Sequence, residues 1–276
     1  MQYNIFLIEL LGDERLKGVT VPVVINKQQA IEDDKMADIS RVFNNYRTVF
    51  ASFDDSNILN TRIFSVNGEV SDCIYANVAA FYTLAEAQYI RSIESGEKRV
   101  VLKSGDTKRS VIINYHDNNA ISVTHEIMIH ELESIENEET EDFVSELVKA
   151  LDNSGGSTRI IWAKDPMTFS KLRKKKIDLG ELDIDRIVVY HDEESRMVFF
   201  TVERPKLKKY QRMSSRRQIA FMIKYLMDKG IDKSEIRTLT HVLNNGQYAI
   251  LKVSIGDGVI SAKMNARVLV DGILNL

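Results

Sequence analysis

The sequence repeats itself at an interval close to half its length of 276 residues. Residue 110 aligns with residue 249, 139 positions later, and the alignment continues without a gap until residue 122 meets residue 261. Two copies of one segment tend to adopt the same local structure, so a constant interval restricts the fold more than composition does. The repeat therefore predicts that one structural unit occurs twice in this chain.

Two further matches extend the repeat upstream. Residues 80–81 (AF) align with residues 220–221 (AF), and residues 64–66 (FSV) with residues 200–202 (FTV), at nearly the same interval. Two unrelated β-meanders can also resemble each other by chance, but the near-constant interval favours duplication. We predict an α+β fold of two similar domains, residues 1–130 and 131–276, in which the last residues can pack back on the first domain. The cleft between two such domains is the expected ligand site.

Hydrophobic periodicity predicts where the helices and strands lie. The spacing of apolar residues indicates helices at 33–43, 76–92, 143–151 and 215–229. β-branched and aromatic runs predict strands, with an Asn67-Gly68 hairpin turn in the first half. The predicted strands are 3–10, 20–25, 47–53, 60–66, 99–103, 110–114, 121–130, 159–162, 186–190, 197–203, 237–243, 248–254 and 259–270.

Composition excludes several classes of protein. Hydrophobic residues make up 44% of the chain, which is enough for a sizeable core and rules out a disordered protein. The 37 basic and 40 acidic residues give a net charge of −3, so no global basic field favours nucleic acid. The single cysteine, Cys73, excludes a disulfide framework. No apolar run approaches 18 residues and the start does not read as a signal peptide, so we expect a cytoplasmic protein without a membrane partner.

One segment of the first half resembles a known family. Residues 62–70 (RIFSVNGEV), followed by a helix that runs through residues 84–86 (LAE), are similar to the phenazine-biosynthesis (PhzF-type) isomerase family. Residues 259–272 resemble the last strands of that family and of diaminopimelate epimerase. The resemblance implies a duplicated diaminopimelate epimerase-like fold, with a sheet around a central helix in each half. It also implies a cofactor-independent isomerase or epimerase that acts on a small carboxylate-bearing metabolite in biosynthesis.

The sequence departs from the family at its catalytic positions. Arg47 stands where the family carries a catalytic glutamate, and Tyr75 stands where it carries a histidine. Arg212 and Arg216 replace an aspartate and a glycine at the start of the second helix. Arginine keeps its proton at neutral pH and cannot serve as a base. The alternative prediction is therefore a catalytically inactive member, a pseudoenzyme, that binds an anionic ligand or a protein partner.

Cys73 is the first candidate catalytic residue. It resembles the first catalytic cysteine of diaminopimelate epimerase and would lie just before a helix N-terminus, where a thiolate is favoured. Epimerisation needs a second proton-handling group, and the candidates are Tyr75, Ser214 and Ser215. An unactivated serine is a poor base for an α-proton, and Cys73 can equally be a small buried residue of the core.

A basic cluster at the start of the second helix is the second candidate. Six of the twelve residues 206–217 are lysine or arginine, and a helix N-terminus with several cations suits a carboxylate or phosphate. A solvated basic loop is the competing interpretation. The predicted ligand-binding residues are Arg47, Asn77, Arg212, Arg216 and Arg217.

Two histidines are candidate metal ligands, but their spacing is wrong for binding one metal ion together. His125 and His130 are five residues apart, and an odd spacing in a strand places two side chains on opposite faces. We therefore predict no metal and no other cofactor. The predicted partner is a small carboxylate or other anion, and the sequence leaves open whether the protein forms a homodimer.

Overall fold

The computed structural model describes most of the chain, which divides into two compact units. Unit 1 comprises Met1–Met128 with Gln247–Leu276, and unit 2 comprises Ile129–Gly246. Mixed sheets and helices make the fold α+β, as predicted. The described residues are 2–11, 17–26, 31–44, 47–53, 59–70, 72–104, 107–128, 139–140, 158–163, 165–174, 179, 186–193, 196–203, 214–243, 245–256 and 258–275.

A sheet that closes on itself forms unit 1. The strand order is β1-β2-β3-β4-β6-β7-β8-β15-β14, and β15 also pairs with β1, so the pairing returns to its first strand. Closure leaves few unpaired strand edges. The strands are β1 (Gln2–Leu10), β2 (Val19–Asn26), β3 (Thr48–Phe53), β4 (Leu59–Ser65), β5 (Gly68–Val70), β6 (Gly96–Ser104), β7 (Thr107–His116), β8 (Asn119–Met128), β14 (Tyr248–Ile255) and β15 (Val259–Asn275).

The central helix of unit 1 is buried on all sides. Helix α2 (Ile74–Glu86) has no exposed residue between Ile74 and Ala85, because its sequence is apolar or small around its whole circumference. The prediction of a helix at 76–92 was too long at its C-terminal end. Gln88 adopts a left-handed conformation with φ 59°, and the N–H of Tyr89 bonds to the carbonyl of Leu84. That turn ends the helix at a residue other than glycine, so the sequence carries no glycine signal for the helix end.

A second helix packs against strands β3 and β4 of unit 1. Helix α1 (Asp33–Phe43) has the bounds that the apolar spacing predicts. Its residues Met36 and Ile39 are buried, in one cluster with Phe50 of β3 and Phe64 of β4. The rings of Phe50 and Phe64 meet edge to face, with 5.5 Å between their centroids. This cluster fixes β3 and β4, the strands that lead towards the start of α2.

Unit 2 contains a mixed sheet and two helices in its described residues. The strand order is β13-β12-β11-β10-β9, in which β11 and β12 are antiparallel and the other described pairs are parallel. The predicted helix at 143–151 lies outside the described residues. The elements are β9 (Glu139–Thr140), β10 (Thr158–Trp162), α3 (Pro166–Lys174), β11 (Arg186–Glu193), β12 (Arg196–Glu203), α4 (Ser215–Asp228) and β13 (Thr238–Val242).

Candidate functional site

The hairpin of β4 and β5 comes directly before α2 in the chain. Ser65 pairs with Gly68 across a two-residue turn, in which Gly68 has the left-handed φ of 110° that favours glycine. Three residues separate β5 from the first residue of α2, and Cys73 is the N-cap, with extended backbone at φ −155°. The sequence therefore places a thiol at the positive end of the helix dipole, as predicted from residues 67–73.

Asp72 and Asn77 lie on either side of Cys73 in the sequence and contact each other. The Asn77 N–H donates to the Cys73 carbonyl at 3.0 Å, which is the first helical hydrogen bond of α2. The Asn77 side-chain Nδ2 donates to Oδ1 of Asp72 at 3.3 Å. Asp72 was not among the sequence-predicted site residues, although its position directly before Cys73 was visible in the sequence. The Asp72–Asn77 pair fixes the backbone on both sides of Cys73.

Cys73 and Tyr75 are deeply buried. Cys73 is 1% exposed and Tyr75 is 0% exposed, and the Cys73 side chain makes no capping hydrogen bond to the first turn. The Cys73 thiol therefore has almost no contact with solvent. A ligand can reach it only if the local structure opens. Burial of this degree also fits the competing prediction that Cys73 belongs to the core.

Arg47 lies at the hairpin that precedes α2. Thr48 pairs with Phe64, so the residue before Thr48 lies beside the end of β4 at Ser65. Arg47 is partly buried there. Unit 1 thus places the backbone of Arg47 beside the hairpin whose next residues lead to Cys73, Tyr75 and Asn77.

The start of α4 carries the other predicted residues, in unit 2. Ser214 is the N-cap, and its hydroxyl accepts a hydrogen bond from the N–H of Arg217 at 3.3 Å. Ser215 and Arg216 are buried, whereas Arg217 is exposed. Ser214 is therefore occupied as a helix cap, which explains its place in the sequence without catalysis. Arg212 and the three lysines of the basic cluster lie outside the described residues.

The predicted site residues thus fall into two groups. Arg47, Cys73, Tyr75 and Asn77 belong to unit 1, and the residues at the start of α4 belong to unit 2. The use of both groups on one ligand stays a prediction.

His125 is a core residue of β8. Its side chain is buried, and its Nδ1 lies 3.0 Å from the carbonyl oxygen of Glu126. His130 and Glu131 lie outside the described residues. Within the described ranges, no three histidine, cysteine or acidic side chains lie together in a way that could hold a metal ion. In those same ranges no helix combines the length and the apolar character needed to span a bilayer.

Comparison with solved structures identifies the fold. A PhzF-family phenazine biosynthesis protein from Enterococcus faecalis superposes with a TM-score of 0.67 at 16% identity, covering 100% of both chains. A putative PhzC/PhzF protein from Clostridium difficile gives a TM-score of 0.68 at 14% identity, covering 99% of this chain and 100% of the other. A probable proline racemase from Agrobacterium radiobacter K84, with bound carbonate, gives 0.55 at 10% identity over 99% and 92%.

Two comparisons made with the sequence alone find no match. No protein-family model matches the chain, and no curated protein sequence matches it. The structural agreement extends over the whole chain despite this low identity, and it confirms the fold expected from residues 62–70 and the internal repeat. The chain therefore has the fold of the PhzF-type proteins and of the structurally similar proline-racemase-like epimerases.

Proposed function

We propose that this protein is a cofactor-independent isomerase or epimerase that acts on a small carboxylate-bearing metabolite. The observation that carries the proposal is Cys73 at the N-cap of the buried central helix, in a fold shared with racemases and epimerases. A hydroxyproline epimerase from Agrobacterium vitis, solved with trans-4-hydroxy-L-proline, also superposes at a TM-score of 0.52 and 11% identity. These relatives favour an amino or imino acid as the substrate class.

The proposed reaction moves one proton. Cys73, as a thiolate, removes the proton on the carbon next to the substrate carboxylate, and the pair of electrons left behind is delocalised into that carboxylate. A proton then returns to the opposite face of the same carbon in an epimerisation, or to another carbon in an isomerisation. Tyr75, two residues after Cys73 in unit 1, is the proposed donor for the return. No atom is gained or lost, so no cofactor is required.

Arg47 and Asn77 are the proposed carboxylate-binding residues of unit 1. A guanidinium holds a carboxylate through two parallel hydrogen bonds and remains charged throughout the reaction. In this role Arg47 replaces the proton chemistry of the family's glutamate with electrostatic binding. Arg216 and Arg217, with Arg212, are the proposed anion-binding residues at the start of α4.

The test is exchange of the α-hydrogen with solvent. The protein is incubated in deuterated water with a panel of amino acids, imino acids and hydroxy acids, and mass spectrometry measures deuterium uptake. We expect one deuterium per molecule in at least one compound, with none in samples that contain heat-denatured protein. Absence of exchange across the panel, in protein shown to be folded by circular dichroism, rejects catalysis.

A second candidate function is binding of an anion without catalysis. It is favoured by Arg47 at the glutamate position, together with the complete burial of Tyr75. Calorimetry with the same panel separates the two proposals. Saturable binding of a carboxylate without deuterium uptake supports the second, and the Arg47→Gln variant should then bind that compound about tenfold more weakly. Lys171→Gln serves as the control, because it also removes one positive charge but at an exposed position of unit 2.

A further inference from the structure

Four neighbouring strands of unit 1 present a polar face. Lys252 of β14 pairs with Lys263 of β15, Lys263 pairs with Thr124 of β8, and Thr124 pairs with Ile112 of β7. Side chains of directly opposed residues project from the same face of a sheet. Apart from Ile112, this cross-strand row is therefore polar, and it runs across the middle of the four strands.

The alternate residues of the same strands form a buried face that is apolar apart from His125. Val123 of β8, together with Ala262 and Met264 of β15, is almost completely buried. Helix α2 packs against both β8 and β15. The apolar face is the one that this helix covers, so the polar face lies on the outside of the closed sheet.

The two lysines are directly opposed like charges. Such a pair is destabilising in a sheet unless an opposite charge compensates it. Neither Lys252 nor Lys263 forms an ion pair with a described residue. Lys252 is exposed and Lys263 is partly exposed, so an anion from solvent can reach both.

Two residues that carry hydroxyl groups lie on the same face of the sheet as the lysines. Ser122 is on the same face as Thr124, two residues away along β8, and pairs with Asn114 and Asn265. Ser122 is 0% exposed, and its Oγ is buried with no hydrogen-bond partner among the described residues. Thr124 Oγ1 accepts from Asn114 Nδ2 at 3.3 Å, which leaves the Thr124 O–H to donate elsewhere. Ser122 is completely enclosed and out of reach of a ligand on this face, whereas Thr124 retains 8% exposure.

We propose that this outer face binds a phosphate group, either as the free ion or carried on a small metabolite. Two ammonium groups match the double negative charge of phosphate, and the Thr124 hydroxyl supplies an uncharged donor for one of its remaining oxygens. Binding would also neutralise the like-charge pair between β14 and β15. The site is separate from Cys73 and Tyr75, the proposed catalytic residues at the start of α2.

The test uses two probes, inorganic phosphate and glycerol phosphate, at fixed ionic strength. Calorimetry and thermal unfolding should both show saturable binding, with a midpoint temperature that rises with probe concentration and not with chloride. Binding of glycerol phosphate alone assigns the site to a phosphorylated metabolite, and binding of both assigns it to the phosphate group itself. Each of Lys252→Gln and Lys263→Gln should weaken binding about tenfold, the loss of one charge-assisted contact.

Two controls separate binding from folding. Lys263→Arg keeps the positive charge and should retain binding, and Lys171→Gln removes one exposed charge in unit 2 and should have no effect. Thr124→Ser keeps the hydroxyl and should retain phosphate binding, whereas Thr124→Val removes it and should weaken binding. No saturable binding of either probe in the millimolar range overturns the proposal. Tighter binding of a glutamate-rich peptide than of both probes also overturns it, in favour of a protein partner.

Discussion

Thr124 of β8 lies directly opposite Lys263 of β15, and the two residues are repeat equivalents, 139 positions apart in the sequence. An antiparallel strand that pairs with its own duplicate does so about a local two-fold axis; one pair of equivalent residues is directly opposed at the axis, and the pairs on either side are exchanged, as in Val123–Met264 and His125–Ala262. The two copies of the duplicated strand, β8 and β15, therefore pair with each other inside unit 1. It follows that β8 and β15, although distant in sequence, are one symmetric element of the sheet.

The hydroxyl of Thr124 is expected to contribute to stability as well as to the proposed phosphate site. Thr124→Val removes the acceptor of the Asn114 side chain, which is itself buried. We expect a loss of about 1–2 kcal/mol in the free energy of unfolding, measured by urea denaturation. The same change at Thr238, which is partly exposed and has no described side-chain hydrogen bond, is the control. Equal effects at both positions would contradict the role of the Thr124–Asn114 bond.

A buried ion pair joins the first and last strands of unit 1. Glu9 of β1 is completely buried and accepts hydrogen bonds from Arg267 of β15, one of them from Nε at 2.8 Å, and from the N–H of Gly18 at 3.1 Å. Arg267→Gln leaves a buried carboxylate uncompensated and should cost about 3 kcal/mol or more. Glu9→Gln should cost less, because the Arg267 side chain is 32% exposed and can turn to solvent. Urea titrations of both variants, with Glu94→Gln as an exposed control, test this order, and the reverse order would refute it.

Gly18 has a close backbone contact that excludes any side chain. A Cβ at this position would lie 2.1 Å from the carbonyl oxygen of Leu10. Gly18→Ala must displace β2 from β1 or break the bond to Glu9, so we expect a midpoint temperature lower by several degrees, typical of a loss of more than about 1 kcal/mol. Gly272, which has no neighbouring atom near such a Cβ, is the matched control. An unchanged midpoint in Gly18→Ala would show that the strands shift without cost.

His241 should make unit 2 sensitive to acid. Its ring stacks on Phe199 with 4.5 Å between centroids, and burial lowers the pKa of His241 to about 3. A histidine whose pKa is depressed in the folded state stabilises the fold above its ordinary pKa of about 6.5 and loses that contribution as pH falls. The free energy of unfolding should therefore fall by about 1 kcal/mol per pH unit below pH 6.5 through this residue. His241→Phe should flatten that slope and His116→Gln, an exposed change, should not; equal slopes in all three proteins would exclude His241 as the cause.

Helices α1 and α4 were predictable from the sequence, because one face of each is apolar at intervals of three and four residues; the prediction for α4 was one residue too long at its C-terminal end. The end of α2 was not predictable, since the left-handed turn at Gln88 uses a residue type that gives no signal for it. The hairpin before α2 was predictable from its Asn-Gly pair. The position of Cys73 just before a helix followed from its resemblance to a catalytic cysteine of diaminopimelate epimerase, although the predicted helix began at residue 76, two residues late.

Long-range pairings were beyond reach of the sequence. Glu9 and Arg267 are 258 residues apart, and nothing near either residue indicates the other. The opposition of Lys252 and Lys263 required the register of β14 and β15, which a shift of one residue would have changed completely. The burial of Tyr75 depended on closure of the sheet around α2, and the sequence alone indicated only that this helix is apolar.

The most direct test of the proposed reaction compares Cys73→Ser with the unmodified protein on a compound that the panel identifies. Uptake of α-deuterium from solvent is followed by mass spectrometry, and the affinity for the same compound is measured by calorimetry. The account predicts that the variant binds the compound within about threefold of the unmodified affinity, a difference of less than 1 kcal/mol, but incorporates no deuterium. Deuterium uptake at the same rate in both proteins would contradict a catalytic role for Cys73.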